Sequence, residues 1–311
     1  MQTEIRPPLA AIVALVAASA WLAACEVNVN SEGLSVRETR TFAVTGAPDL
    51  TLDTFDGAIE VHSWDKQEIE VEVEKRATEQ TLIDQITIEA EQKGNTISLR
   101  VKGPSRHEFR GVTIGFNISP SARLRVVVPR SLTLRARSGD GAIRAEDLTG
   151  TISLRTDDGS VTASRLSGDV EIRTGDGAIR LDKIAGHVNL ETGDGSIGFE
   201  GAPTILRAKT GDGSIGAKLD AETAMADNWD LSTGDGSVVL TLPQSFNGEL
   251  DAETRDGSVR ANHPMLKPDE DRPGEDRDSR RQRRRSLRAT MGDVGKLLRV
   301  RTGDGTIRIE S

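Results

Sequence analysis

An aspartate followed by a glycine stands at Asp140, Asp158, Asp176, Asp194 and Asp212, every eighteenth residue, and again at Asp235, Asp256 and Asp304 after longer gaps. Asp56 carries the same dipeptide far upstream. A strict period followed by irregular spacing is the mark of stacked coils whose loops vary while their coils do not.

The register around each aspartate fixes what a coil contains. Three residues after it come Ile143, Val161, Ile179, Ile197, Ile215, Val238, Val259 and Ile307. Six and four before it come pairs such as Val170 and Ile172, Val188 and Leu190, or Leu298 and Val300. Apolar residues at alternate positions mark one face of a strand. Each coil therefore holds two short strands with a corner at the Asp-Gly step. The step from the Thr or Ser two residues before the aspartate to the apolar residue three after it is odd. The backbone must bend there, and glycine is expected to supply the bend with a positive φ. The fold class expected is all-β, a parallel β-solenoid (single-stranded β-helix) of about eighteen residues per coil. Aromatic residues make up only 3% of the chain, and tyrosine is absent. The core must then be built from many small aliphatic contacts.

Stacked coils place Asp140, Asp158, Asp176, Asp194, Asp212, Asp235, Asp256 and Asp304 in one column. Like charges at a rung spacing of about 4.8 Å repel unless each is satisfied. The structural expectation is that each carboxylate holds its corner by accepting backbone N–H groups. The competing reading is a column of cations. Calcium β-rolls carry Gly and Asp in every nonapeptide, whereas here the other half of each coil reads like "RLSGDVEIR". No metal or other cofactor is expected.

The first residues are a different material. Arg6 precedes an apolar run from Leu9 to Leu22 that ends in "LAAC" at Cys25. The run suits a signal-peptide core and is too short to span a bilayer. "LAAC" resembles the bacterial lipobox. The expectation is a signal peptide over 1–24, lipid on Cys25 as the mature N-terminus, a linker over 25–38 and a solenoid domain over 39–311. Regular coils are expected over 134–261 and 296–311, with an excursion within 103–120. Cys25 is the sole cysteine, so a disulfide within the chain is excluded. Segment 263–290 is Pro-rich and dense in charge, and reads as a disordered insertion between two coils. Its Arg280, Arg281, Arg283, Arg284 and Arg285 are candidate contacts for a polyanion or lipid headgroups.

No catalytic residue emerges. The four histidines, His62, His107, His187 and His263, form no metal-ligand spacing. There is no nucleophile elbow, and "TGDGS" lacks the lysine of a phosphate loop. The net charge of −9 argues against a nucleic-acid partner.

The lipobox, then "PDLTLDTFDGAIEVHSWDKQEIEVEVE", then "LRVVVPRSLTLRARSGDGAIRAEDLTGTISLRTDDGSV" together resemble a bacterial domain-of-unknown-function family of putative adhesins with β-strand repeats. The resemblance implies an envelope-associated β-solenoid without known catalysis, linked in some members to envelope stress sensing. It supplies no catalytic residues. The expected protein is a membrane-anchored lipoprotein of the cell envelope, a scaffold or adhesin-like module. Its partners would be the membrane, an envelope polymer or protein, and other copies through the solenoid ends, since "TIRIES" finishes on a strand. The alternatives are a polysaccharide-active β-helix enzyme and a bactofilin-like filament.

Overall fold

The computed structural model describes residues 24–30, 33–104, 119–268, 285–293 and 295–311. The chain is all-β, and its strands join in one large sheet, mostly in parallel. Two ladders run the length of the stack, one from the strands before each Asp-Gly corner and one from the strands after it. In the leading ladder Thr149–Thr156 pairs with Ser167–Thr174, setting Ile152 against Val170 and Leu154 against Ile172. In the trailing ladder Val161–Ser164 pairs with the start of Ile179–Thr192, setting Val161 against Ile179. The side chains follow the same register: the hydroxyls of Thr149 and Ser167, 18 residues apart, meet at 2.9 Å.

The two ladders enclose the core. Leu134, Ile152, Val170, Val188 and Leu206 line one inner wall, and Ile143, Val161, Ile179, Ile197 and Ile215 the other; none is more than 2% exposed. Full burial of such a side chain contributes about 1.5–3 kcal/mol. Parallel sheets are usually covered on both faces. Here each ladder is covered on one face only, by the opposite ladder, so the strands keep a strict alternation of buried and exposed residues. Trp229 takes an inward position and is 1% exposed. Its indole N–H donates to the carbonyl of Thr204 at 3.1 Å.

The stack has a second corner that the sequence did not announce. Asp147, Arg165 and Lys183 occupy equivalent positions and have φ of 60°, 54° and 55°. Each directly precedes a buried residue, Leu148, Leu166 or Ile184, that returns the chain to the core. Arg165 donates two hydrogen bonds to Asp147, at 2.7 and 2.8 Å, which tie two successive corners together.

Stacking order departs from sequence order at both ends. Asp49–Thr54 lies between Thr96–Lys102 and Ser131–Ser138, and Ile59–Trp64 lies between Ser121–Pro129 and Ile143–Glu146. At the other end Leu297–Thr302 lies between Trp229–Thr233 and Gly248–Thr254. Ile307–Glu310 lies between Val238–Thr241 and Val259–Asn262. The last coil of the chain is thus inserted beneath its predecessor, and "TIRIES" is no edge. The outermost coil at that end is the one around Asp256. Its leading strand is covered by the antiparallel Ser286–Met291. Among the described residues its trailing strand, Val259–Asn262, pairs only with Ile307–Glu310.

Two expected boundaries change. The described part of the expected linker, residues 25–30 and 33–38, is strand. These residues belong to Ala24–Asn30 and Gly33–Ala43, which pair antiparallel, and the second continues the sheet onto Glu68–Ala77. Val36 and Phe42, on one face of the second strand, are buried and fix it to the body. Segment 263–290 is ordered at its ends, where Leu266–Pro268 pairs with Ser286–Met291 and Ala289 and Met291 are buried. Its middle, 269–284, lies outside the described residues, as do 1–23 of the expected signal peptide and 105–118 of the expected excursion.

The antiparallel end of the sheet holds a buried carboxylate. Glu74 has a side chain only 2% exposed, with Arg76 at 3.0 Å and Arg37 at 3.4 Å. Burial works to raise its pKa, but hydrogen bonds and charges from Arg76 and Arg37 outweigh burial and hold it below the ordinary value.

Candidate functional site

The Asp-Gly corners are the most repeated chemistry in the protein. In the coil around Asp176, Thr174 continues the inward alternation of Val170 and Ile172 and is 6% exposed. Its hydroxyl donates to the carbonyl of Gly159 in the preceding coil at 2.8 Å. The same oxygen accepts the N–H of Gly177 at 3.2 Å. Thr192 does the same with Gly177 and Gly195, and Thr210 with Gly195 and Gly213. A column of buried hydroxyls therefore stitches each corner to the one before it.

The glycines serve close approach. A Cβ on Gly177 would overlap the carbonyl oxygen of Gly159, and the same holds through Gly195 and Gly213. Of the glycines that follow the repeat aspartates, Gly57 alone has a positive φ, at 125°. The expectation of a left-handed glycine at each corner is corrected accordingly: the backbones come too near for any side chain.

The aspartates stand in register but do not hold the corners. Asp140, Asp158, Asp176, Asp194, Asp212, Asp235, Asp256 and Asp304 are all exposed. Asp256 forms an ion pair with Arg285 at 3.0 Å. The carboxylates of the other seven have no hydrogen bond or ion pair among the described residues, although the backbone N–H groups of Asp212, Asp235 and Asp304 donate to glycine carbonyls of the adjoining coil. The threonine hydroxyl occupies the place expected for the carboxylate, because it sits on the inward side of the bend. The signal was present in the sequence, since the position two before each aspartate extends the inward alternation. Asp56 is half-buried, and its pKa is raised by burial first and by the charge of Asp140 second, against a backbone hydrogen bond from Gly57.

The remaining candidates are scattered. The backbone of Cys25 pairs with Glu38 in the antiparallel hairpin. Arg280, Arg281, Arg283 and Arg284 lie outside the described residues, as does His107. His62 is 3.6 Å from Glu146 and His187 is 3.4 Å from Asp169. His263 is buried, with its ring nitrogens near the carbonyl of Pro243 at 3.0 Å and the N–H of Met265 at 3.3 Å. Among the described residues no group of three metal-ligating side chains converges. A shallow open groove of about 380 Å³ lies on the trailing wall, where Gly198 and Gly216 stand side by side between Arg180 and Val239.

Several solved structures align over 88% of the chain, among them the following three. A putative cell adhesion protein from Clostridium sporogenes ATCC 15579 is 14% identical, covered over 98% of its length, with a TM-score of 0.25. A putative adhesin from Bacteroides fragilis NCTC 9343 is 11% identical, covered over 96%, with a TM-score of 0.37. A putative lipid binding protein from Parabacteroides distasonis ATCC 8503 is 11% identical, covered over 97%, with a TM-score of 0.40. No curated protein matches the chain. The model of the Toastrack DUF4097 family matches residues 48–310, nearly the whole described body, and the chain belongs to that family.

Proposed function

We infer that this protein is a non-enzymatic, lipid-anchored interaction module of the bacterial cell envelope, built as a β-solenoid of about eighteen residues per coil. The observation that best supports the reading is the division of labour within each strand. Inward positions are filled by packed aliphatic side chains, and outward positions repeat polar and charged groups at a rung spacing of about 4.8 Å. Such a wall suits recognition of an extended partner, and a module so placed is positioned to report on envelope stress. The anchor rests on "LAAC". Because Ala24–Asn30 is already a strand of the sheet, lipid on Cys25 would hold the hairpin end of the stack close to the membrane surface.

The test is fractionation of cells that express the full chain, with mass spectrometry of the membrane form and a pull-down from native envelope. A lipid-modified Cys25, release by Cys25→Ser and capture of an envelope component support the reading. Cleavage elsewhere with Cys25→Ser still membrane-bound would refute the anchor. Cleavage of an envelope glycan by the purified protein would refute the non-enzymatic reading.

A further inference from the structure

One outward position of each coil, three residues before the aspartate, forms a continuous row across the leading ladder. At most rungs the row pairs opposite charges. Arg100 meets Asp53 at 3.1 Å, Arg173 meets Glu191 at 3.2 Å and Arg301 meets Glu253 at 3.9 Å. The exception lies in the middle of the stack. Arg137 faces Arg155, and Arg155 faces Arg173. Like charges directly opposite one another destabilise a sheet, and guanidinium groups cannot shed their charge.

Neighbouring acids relieve only the outer two. Arg137 lies 3.7 Å from Asp157. Arg173 lies 2.7 Å from Glu171 as well as near Glu191. Arg155 is exposed, and its guanidinium has no ion pair or hydrogen bond among the described residues. Three permanent cations therefore stand about 4.8 Å apart in file, with the central one unneutralised.

We propose that Arg137, Arg155 and Arg173 form a binding row for a carboxylate-bearing polysaccharide laid along the stack, with Arg155 as its central contact. The proposal rests on the reading of the protein as an interaction module and names its surface. A guanidinium fork matches a carboxylate in bidentate fashion. A linear uronate chain presents its carboxylates on the length scale of one or two rungs, so several can be met at once. Nucleic acid fits less well. Single strands are held by aromatic platforms, whereas Phe42, Phe199, Trp229 and Phe246 are buried.

The experiment measures binding of the full-length protein in detergent to polygalacturonate, with dextran and a single-stranded DNA oligonucleotide as comparison polymers. Binding to polygalacturonate that weakens with salt, with dextran inert, is expected. Arg155→Gln should weaken it about tenfold, the loss of one charge-assisted contact, and the triple Gln variant of Arg137, Arg155 and Arg173 should abolish it. The double variant Arg260→Gln/Arg308→Gln, an arginine pair in register on the trailing wall, should bind as wild type. The melting temperature of the triple variant should equal or exceed that of the wild type, which separates lost binding from lost fold. Unchanged binding by the triple variant, equal loss in the trailing-wall variant, or tighter binding of DNA would overturn the proposal. If polygalacturonate does not bind while the envelope pull-down still captures a partner, the arginine row is refuted and the interaction module stands.

Discussion

The hydroxyl of Thr174 donates to the carbonyl oxygen of Gly159 at 2.8 Å, across the boundary between two coils. The contact is buried, and its equivalents recur along the stack. It makes the threonine, one step inside the corner, the residue on which the Asp-Gly motif depends.

Thr174→Val keeps the shape of the side chain and removes the hydroxyl. The carbonyl of Gly159 and the N–H of Gly177 then lose their partner in a buried place, which costs about 1–3 kcal/mol. Thr174→Ser retains both bonds and should lose far less. Urea denaturation of the two variants checks this, and equal stability of Thr174→Val and wild type would refute the role.

Asp176→Ala should be neutral or slightly stabilising, because the carboxylate is exposed, accepts no bond among the described residues and stands between Asp158 and Asp194. The gain should shrink as salt is added, since exposed charges are screened over about 10 Å at 0.1 M. Asp56→Asn should stabilise more at neutral pH, since a carboxyl whose folded pKa is raised opposes folding when ionised. Calcium should not shift the melting temperature of the wild type. A clear rise with millimolar calcium, lost in Asp176→Asn, would restore the cation column.

Gly177→Ala should be among the most damaging single changes in the protein, because the new methyl would overlap the carbonyl of Gly159. Gly216→Ala offers the contrast. Nothing lies within 4 Å of its Cβ position, and the substitution should be neutral or stabilise by about 0.4–1 kcal/mol through the unfolded chain. Thermal melts of the pair decide whether close approach, and not glycine content as such, governs the corners.

Stability should decline on the acid side as Glu74 is protonated. Its folded pKa is depressed below the ordinary 4.5. The contribution is therefore full above the unfolded carboxylate value and is lost as pH falls through the folded one. Glu74→Gln should be less stable at pH 7 and should flatten this part of the profile. Denaturation midpoints between pH 3 and 7 for both proteins test the sign.

Deleting 263–290 should destabilise the protein, contrary to what an unstructured insertion would imply. The deletion removes most of the strand that covers Gly248–Thr254 and the buried Ala289. Met291→Ala alone, at a site with no exposure, should cost about 2–5 kcal/mol. A deletion variant with an unchanged cooperative melt would show that the strand contributes nothing.

The sequence by itself determined the coil. Alternation such as Val170, Ile172 and Thr174 is a local signal, because successive side chains of a strand point to opposite faces. The eighteen-residue period then sets which residues share a level. Tertiary structure alone decided which coil lies on which. Coils built to one template expose the same backbone edges and the same inward residues, so any two can stack in register. The pattern around Asp304 cannot say that its coil belongs between those of Asp235 and Asp256. The same limit applied at the corner. Alternation places Thr174 on the inward side there, but it does not say what the hydroxyl meets. Only the path of the bend shows that Thr174 reaches the neighbouring carbonyl while Asp176 faces solvent. The arginine file of Arg137, Arg155 and Arg173 is one-dimensional in the sequence and becomes a surface only when the rungs are brought together.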